Sequence, residues 1–284
     1  MLTILNAIEL STDYLNQKGV ESPRINAELL LAEILNCKRM DLYLKFDQPL
    51  SGKEKTDYRE FIKRRGNREP LQYIIGSVEF YGINLKVNKN VLIPRQETEL
   101  LVEEIISNAK DNSSLSILDI GTGSGNIAIS LIKNLNKCSV HSIDVSESAL
   151  ALAKNNAIDH EINGKLTFEN IDIEKFSQTG NIKYDLIVSN PPYISAQDYI
   201  DLEKELVDFE PKIALTDNED GLTFYKLITE NSRELLNVGG YLFFEIGFGQ
   251  SKQITEFMKK NGFRNIKIKK DYQNIDRVIS GELL

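Results

Sequence analysis

The chain has 284 residues, of which 41% are hydrophobic and 27% are charged, and its formal net charge is -8 with a pI near 5.1. This composition is typical of a soluble globular protein with one large or two ordinary domains. It excludes a strongly basic protein of the kind that binds nucleic acids through their phosphates.

The cysteines and the apolar runs indicate a cellular location. Cys37 and Cys138 lie far apart, and no Cys/His cluster accompanies them, so we expect reduced thiols in a cytoplasmic protein without a metal site. The first residues lack a basic segment and are interrupted by Asn6 and Glu9. No apolar run approaches the roughly 20 residues that a membrane span requires, so neither export nor a membrane anchor is expected.

Residues 1–72 show helical spacing of apolar side chains and are predicted to form a small helical domain. Ser22 followed by Pro23 predicts a helix start, because a capping residue precedes proline at the first helical position. Ser51 and Glu54 have the spacing of a capping box at the start of another helix. That helix is rich in Lys and Arg, which indicates either a solvated face or a docking surface for an acidic macromolecule.

The pattern changes after Pro70. The segment 73–76 and the run 78–87 are rich in residues that favour strands, and Gly82 separates the two halves of that run. This pattern predicts a β-hairpin, so residues 73–93 are assigned as a connector to a catalytic part at 94–284.

A glycine-rich loop follows the first predicted strand of the catalytic part. A helix is predicted from Glu97 to about Ala109, followed by a polar break at 111–114 and a strand at 115–119. The loop then leads directly into a predicted helix at 126–132, so backbone amides at that helix start are available to a ligand. The loop residues are Gly121, Thr122, Gly123, Ser124 and Gly125.

Asp144 ends the next predicted strand, about 20 residues beyond the glycine loop, where an acid can bind ribose hydroxyls. A strand, a glycine loop, a helix and then an acid in this order predict an adenosine-type cofactor. The alternative is a tight turn with an aspartate that caps a helix.

The stretch Asn190-Pro191-Pro192-Tyr193 follows a buried strand predicted at 184–189. Two prolines fix the backbone and remove two N–H donors, which leaves a rigid turn that displays carbonyls. An Asn oxygen, a proline carbonyl and an aromatic ring suit a planar group that bears an NH2. The stretch offers no acid, base or thiol, so the electrophile must arrive already activated.

Helices and strands continue to alternate to the end of the chain, which predicts a doubly wound α/β fold with a mostly parallel sheet. In such sheets ligands bind beyond the carboxyl ends of strands, where the glycine loop, Asp144, Asp172 and Asn190 are all placed. The remaining predicted elements are helix 146–158, strand 166–169, helix 221–236, a turn at Gly239-Gly240, strand 241–246, helix 250–260 and a hairpin of 266–270 with 277–280.

Several motifs together resemble one family. The chain is similar to class I S-adenosylmethionine-dependent methyltransferases and, more narrowly, to the family that methylates N5 of a glutamine in peptide chain release factors. The motifs are Ser22-Pro-Arg24, Glu69-Pro-Leu-Gln-Tyr-Ile-Ile-Gly76, Leu92-Ile-Pro-Arg-Gln-Glu-Thr-Glu-Leu-Leu-Val102, the glycine loop, Val188-Ser-Asn-Pro-Pro-Tyr-Ile194, Phe209-Glu-Pro211, Asp220-Gly-Leu222 and Asp276-Arg-Val278. The chain departs from the family pattern at Gln96, Glu97 and Ile173.

The resemblance implies a seven-stranded sheet, and transfer of the sulfonium methyl to the glutamine of a Gly-Gly-Gln loop. Catalysis then depends on Asn190, Pro191 and Tyr193: the Asn190 oxygen and the Pro191 carbonyl hold the two amide hydrogens while Tyr193 packs on the amide plane. Together with Pro192 these residues bind the substrate. The cofactor contacts are expected at Asp172, Ile173, Asn190, Asp144 and the five loop residues 121–125. The implied partner is a release factor, contacted by a monomer without direct binding to nucleic acid.

Two other functions fit part of the pattern. An adenine-N6 nucleic-acid methyltransferase would use the same acceptors on a flipped base. However, residues 1–93 carry 14 Lys and Arg against 12 Asp and Glu, whereas residues 94–284 carry 20 against 30, so the catalytic part repels phosphates. A non-catalytic module that binds translation components is the other alternative, and it would need neither Asn190 nor an intact glycine loop.

Overall fold

The structure is a computed structural model that describes residues 1–109, 114–178 and 182–284. Its helices are α1 (Ile4–Gln17), α2 (Pro23–Ile34), α3 (Arg39–Leu44), α4 (Gly52–Gly66), α5 (Leu71–Ile75), α6 (Gln96–Asn108), α7 (Asn126–Asn134), α8 (Glu147–Asp159), α9 (Ile173–Gln178), α10 (Ala196–Ile200), α11 (Lys204–Phe209), α12 (Thr223–Leu235) and α13 (Ser251–Lys260). Its strands are β1 (Ser77–Phe80), β2 (Ile83–Lys86), β3 (Leu115–Ile120), β4 (Cys138–Asp144), β5 (Leu166–Asn170), β6 (Tyr184–Ser189), β7 (Leu236–Glu245), β8 (Phe263–Lys270) and β9 (Asp276–Leu283). Among these helices none is both long and apolar enough to cross a membrane.

The chain divides into two compact units, of which the first comprises residues 1–77 and 203–209 and the second residues 78–202 and 210–284. The first break in sequence falls later than the predicted domain boundary after residue 72. The reason is that the segment around Tyr73, predicted as part of the strand-rich connector, forms helix α5 instead. Helix α5 ends at Gly76, whose φ is +86°, and its Ile74 lies in the core of the first unit.

Helices α1, α2 and α4 enclose the core of the first unit. The predicted capping box of α4 is confirmed, because Ser51 Oγ accepts from the Glu54 N–H at 3.3 Å and Glu54 Oε2 accepts from the Ser51 N–H at 2.6 Å. Helix α2 starts at Pro23 as predicted, but the expected Ser22 cap is wrong: Ser22 has a φ of +46° and its side chain makes no capping bond. The main core residues are Ile4, Ile8, Leu15, Leu30, Leu31, Tyr58 and Ile62.

Helix α11 belongs to the first unit although it is encoded between β6 and α12. Arg65 is 5% exposed, and its guanidinium forms an ion pair with Glu205 at 3.1 Å. The same guanidinium donates to Asn26 Oδ1 at 2.7 Å and to the Glu69 carbonyl at 3.0 Å. A buried charge needs such partners, so Glu205 ties α11 to the first unit.

The second unit is built on a seven-stranded sheet of order β5-β4-β3-β6-β7-β9-β8. Strands β5, β4, β3, β6 and β7 pair in parallel, and β9 and β8 are antiparallel additions. The predicted doubly wound, mostly parallel sheet is therefore confirmed. The chain runs outward from β3 to β5 and then returns to place β6 on the other side of β3. This reversal creates the crevice between β3 and β6 in which doubly wound folds bind ligands.

Two local predictions can be compared with the strands. The hairpin is confirmed, since β1 and β2 pair and are joined at Tyr81 and Gly82 with φ of +47° and +74°. The turn at Gly239-Gly240 is wrong, because both glycines lie inside β7. The register of β7 against β6 shifts between Leu236 and Tyr241, so the glycines form an irregularity within a strand rather than its start. Except for Ser114, the predicted polar break at 111–114 lies outside the described residues.

Candidate active site

The glycine loop joins β3 to α7 and presents bare backbone. Gly121, Gly123 and Gly125 have φ of +74°, +55° and +81°, a region that L side chains rarely adopt. A Cβ at Gly121 or Gly123 would meet no atom within 4 Å, whereas one at Gly125 would lie 3.3 Å from Ala153 Cβ. The first two glycines therefore face open space and the third permits close packing of α7 on α8.

Asp144 at the end of β4 holds the glycine loop from the side. Its Oδ2 accepts from the Gly123 N–H at 2.9 Å and its Oδ1 accepts from the Ser146 N–H at 2.8 Å. Burial raises the pKa of this carboxyl, and the backbone amides of Ser146 and Gly123 oppose that rise. Asp144 thus braces the loop, and each oxygen keeps a further lone pair for a ligand.

Asp119 lies beneath the same loop and is fully buried. Its Oδ2 accepts from Thr122 Oγ1 at 2.6 Å, while its Oδ1 has no hydrogen-bond partner among the described residues. Burial raises the pKa of this carboxyl to about 7, the Thr122 hydroxyl lowers it, and the charge of Asp144 adds to the rise. Asp119 was predicted only as the end of a strand, and the structure shows that it fixes Thr122.

Asp172 and Ile173 lie beyond β5, where helix α9 begins. Asp172 Oδ1 accepts from the Lys175 N–H at 2.9 Å, and this bond is the main cause that lowers the pKa of Asp172. The Ile173 side chain is buried in the core of the second unit. Asp172 therefore acts as a helix cap while its partly exposed carboxylate stays accessible.

Asn190 leaves β6 with its side-chain amide oriented by a neighbour. Its Nδ2 donates to Thr98 Oγ1, in the first turn of α6, at 3.2 Å. The nitrogen end of the amide is thereby directed at Thr98, so Oδ1 is the end that remains to accept from a ligand. Pro191 and Pro192 follow without N–H groups, which leaves an acceptor-rich turn.

Glu245, the last residue of β7, lies next to Thr98 and Asn190. It is 2% exposed, and burial raises the pKa of its carboxyl to about 7. Hydrogen bonds from the Thr98 and Asn190 side chains oppose this rise, as does the charge of Arg277, whereas Glu97 adds to it. The Oε2 atom of Glu245 has no hydrogen-bond partner among the described residues. The buried Glu245 carboxyl is thus the common hydrogen-bond partner of Thr98 and Asn190.

Tyr193 closes the turn and is held through its backbone. Gln250 Nε2 donates to the Tyr193 carbonyl at 2.9 Å and to the Gly221 carbonyl at 3.1 Å. A Cβ at Gly221 would lie only 2.4 Å from the Tyr193 oxygen, so this position requires glycine. Burial raises the pKa of the Tyr193 phenol far above its ordinary range, so the ring stays neutral.

A cavity of about 480 Å³ brings these parts together within the second unit. This volume is in the range of small-molecule and cofactor sites. Of the predicted site residues, only Gly125 and Tyr193 are not part of its lining. Those that line it are Gly121, Thr122, Gly123, Ser124, Asp144, Asp172, Ile173, Asn190, Pro191 and Pro192.

Arg95 lines the cavity, and Glu210 holds its guanidinium. Glu210 is 6% exposed, and its carboxylate pairs with the Arg95 guanidinium and accepts from the Ile93 N–H at 3.2 Å. Both segments belong to motifs that carry the resemblance, 92–102 and 209–211. The ion pair therefore fixes the segment before α6 at the edge of the cavity.

Comparison with known proteins identifies the family of this chain. Residues 6–76 match the PrmC N-terminal domain and residues 96–214 match the methyltransferase small domain. Over 99% of this chain and 97% of the relative, the sequence is 41% identical to a release factor glutamine methyltransferase from Geobacter sulfurreducens. The chain belongs to the release factor glutamine methyltransferase family.

A second relative and a solved structure are also similar to this chain. A release factor glutamine methyltransferase from Fusobacterium nucleatum is 40% identical over 97% of this chain and 77% of its own length. The crystal structure of a methyltransferase from Pyrococcus furiosus superposes with a TM-score of 0.53 over 72% of this chain and 90% of that chain. At 20% identity the latter shows a shared fold alone.

The sequence alone did not assign a role to Thr98 or Glu245, although both stand at noticeable positions in it. Thr98 lies inside one of the motifs that identify the release factor glutamine methyltransferase family, and Glu245 is a lone acid at the end of an apolar strand. A buried acid is costly unless it is paired or hydrogen-bonded, so this pattern is the signal that could have singled it out. Among the described residues no group of three or more His, Cys, Asp or Glu side chains could hold a metal ion.

Proposed function

We propose that this chain transfers a methyl group from S-adenosylmethionine to the side-chain amide nitrogen N5 of the glutamine in the Gly-Gly-Gln loop of peptide chain release factors. The observation that carries the proposal is the orientation of Asn190: its nitrogen is bound to Thr98, so its oxygen is left to accept from a substrate at the cavity. Family membership supports the same substrate class.

The cavity has the features that S-adenosylmethionine requires. Gly121 and Gly123 provide open backbone beside the start of α7, Asp144 has spare lone pairs for ribose hydroxyls, and Ile173 provides an apolar wall. Asp172 adds an accessible carboxylate at the same edge. When bound, the cofactor supplies a methyl carbon on a sulfonium, so an N–C bond forms as an S–C bond breaks and the nitrogen releases one proton to solvent.

The protein must overcome the weak nucleophilicity of an amide nitrogen, whose lone pair is delocalised into the carbonyl. Asn190 Oδ1 and the Pro191 carbonyl are acceptors on a rigid turn, and each would take one hydrogen of the glutamine NH2. With both hydrogens held, the lone pair points along the remaining direction. Such alignment is worth up to about 7 to 11 kcal/mol in intramolecular models. We assign Tyr193 the role of packing on the amide plane and Pro192 that of closing the substrate site.

An adenine amino group would satisfy the same two acceptors, so the charge of the molecule favours the protein substrate. The excess of Asp and Glu in residues 94–284 opposes the approach of a phosphate backbone. We further propose that the enzyme acts as a cytoplasmic monomer without direct binding to nucleic acid. The free thiols of Cys37 and Cys138 support the location.

The test is to incubate the purified protein with S-adenosylmethionine and an intact release factor, and to locate the added methyl by mass spectrometry of the digested factor. One methyl is expected on the glutamine of the Gly-Gly-Gln loop. A factor in which that glutamine is replaced serves as the matched control and should stay unlabelled. Methyl transfer to a DNA duplex, with none to the factor, would contradict the proposal in favour of the adenine-N6 reaction.

A further inference from the structure

Either end of the Asn190 amide, Oδ1 or Nδ2, can face the cavity, but only one of them can bind the NH2 group that receives the methyl. With Oδ1 outward it accepts a hydrogen of the substrate NH2. With Nδ2 outward two donors would face each other, which leaves a buried polar group unpaired and is unfavourable. The residues behind Asn190 therefore decide whether the turn can hold the substrate.

The hydrogen bonds behind Asn190 run in one direction. Asn190 Nδ2 donates to Thr98 Oγ1 at 3.2 Å. Hydrogen bonding from the Thr98 and Asn190 side chains lowers the pKa of the Glu245 carboxyl. Because the Thr98 oxygen already accepts from Asn190, we infer that its one proton points to this carboxyl. An ionised carboxyl can only accept hydrogen bonds. With Glu245 ionised, the Thr98 proton is therefore directed to Glu245, and Asn190 must turn its nitrogen toward Thr98 and its oxygen toward the cavity.

Glu245 is itself firmly placed. Thr98 and Glu245 are each 2% exposed. The Tyr225 hydroxyl donates to the Glu245 backbone carbonyl at 2.9 Å, and Glu245 pairs with Val278 in the sheet. The nearby Arg277 is engaged by Asp271 at 2.9 Å. Burying a carboxyl lowers the stability of the fold unless it has hydrogen-bond partners. The partners of Glu245 are Thr98 and Asn190.

We propose that Thr98 and Glu245 are positioning residues that set the orientation of the Asn190 amide for the methyl acceptor. The inference rests on the proposed role of Asn190 as a substrate acceptor. Neither residue touches the reacting atoms: they act through Asn190, and they do so by fixing which end of its amide faces the cavity.

A pH dependence follows from the same geometry. When Glu245 is protonated it can donate to Thr98, whose proton then turns to Asn190 and favours the inverted amide. Burial raises the pKa of Glu245 to about 7, so turnover at saturating substrates should rise as the pH passes through that value. The groups that face the carboxyl are Glu97 on α6, Arg277 on β9, Tyr193 in the turn and Tyr225 on α12.

The decisive comparison is Thr98→Val against Thr98→Ser, because valine keeps the volume and removes the hydroxyl whereas serine keeps the hydroxyl. For Thr98→Val, kcat should fall roughly 10-fold to 100-fold, as for loss of a hydrogen bond to a charged group, while Thr98→Ser stays within about threefold of wild type. The Kd for S-adenosylmethionine, measured by calorimetry, and the Tm should change little in both. Glu245→Gln resembles the protonated carboxyl, because its NH2 can donate to Thr98, and it cannot titrate. Its kcat should therefore stay near the low-pH level of the wild type and show no rise near pH 7.

The possible outcomes separate this inference from the proposed function. If Asn190→Ala keeps full turnover, the proposed role of Asn190 is wrong. If Asn190→Ala is inactive but Thr98→Val and Thr98→Ser have equal kcat, the positioning role is wrong while the function stands. If Thr98→Val loses cofactor affinity in proportion to kcat, or Glu245→Gln keeps the wild-type pH profile, the positioning role is likewise overturned.

Discussion

The glycine loop after β3 and the Asn-Pro-Pro-Tyr turn after β6 have similar supports but opposite construction. Under each, a threonine hydroxyl contacts a buried carboxyl, Thr122 with Asp119 and Thr98 with Glu245. In each carboxyl one oxygen has no partner among the described residues. Above the supports, however, one loop offers backbone that bends through positive φ, and the other offers a side chain on a proline-fixed backbone.

This difference indicates what each loop contributes. In the proposed function the cofactor lies close to backbone, which explains why three of the five loop residues are glycines and why Asp144 holds the backbone N–H of Gly123. An acceptor that must be aimed needs a directional side chain, so the supports of the second loop hold an amide. Substitutions in the first loop should therefore act on cofactor affinity, and those in the second on turnover.

The largest effect is expected for Asn190→Ala. Turnover should fall at least roughly 100-fold, because the group that we propose to hold the reacting amide is lost, while the Kd for S-adenosylmethionine stays within a few fold. Single-turnover kinetics with a release factor and calorimetry with the cofactor measure the two effects. A parallel loss of affinity and turnover would remove the distinction between the loops.

A smaller and opposite effect is expected for Gly123→Ala. Its φ of +55° makes a side chain costly by about 1 to 2 kcal/mol, and the new methyl would project into the open space where we propose that the cofactor binds. Affinity for S-adenosylmethionine should fall about 10-fold, with the residual kcat at saturation less affected.

Gly164→Ala is the matched control for this variant. Gly164 has a φ of +71° and open space around its Cβ position, but it is not part of the cavity lining. It should lose a similar amount of stability and keep full cofactor affinity. Equal affinity losses in the two variants would mean that backbone strain, rather than the position of Gly123, weakens binding.

The smallest effect concerns stability against pH and tests whether the two supports are alike. Burial raises the pKa of Asp119 and of Glu245 to about 7. A carboxyl with a raised folded-state pKa binds more protons when folded than when unfolded, so its contribution to stability falls as the pH rises from about 4 to about 7 and is level above that. Asp119→Asn and Glu245→Gln should therefore gain stability relative to wild type on going from pH 5 to pH 8, by on the order of 1 kcal/mol or more each. Urea denaturation at the two pH values checks this, and a gain in only one variant would show that the supports differ.

Much of the second unit was predictable because its elements follow hydrophobic periodicity and end at glycine or proline. Strand β6 and the glycine loop have the predicted bounds, and the hairpin of β8 and β9 was anticipated in shorter form. Short elements were harder: Tyr73-Ile-Ile favours a strand by composition but forms a single helical turn in the first unit.

The supports of the active-site loops depend on tertiary structure and so could not be read from local patterns. Thr98 starts α6 and Glu245 ends β7, and only the sheet order and the packing of α6 bring them to Asn190. The spacing of Asp144 predicted a ribose ligand, which stays a prediction, but the bond from Asp144 to Gly123 needs the folded loop. The same limit applies to helix α11, whose partner Arg65 precedes it by much of the chain.

Helix α11 also determines whether the protein can be divided into two fragments that each contain one complete unit. The chain passes between its two units at 77–78, 202–203 and 209–210, so no single cut separates them. A fragment that starts at Val78 would carry Glu205 away from Arg65, and a fragment that ends at Ser77 would leave that buried guanidinium without its carboxylate. Removing one partner of a buried ion pair costs about 3 to 5 kcal/mol. A chimaeric protein that takes its first unit from a relative must therefore take residues 203–209 together with residues 1–77, which requires two separate segments of the relative's gene.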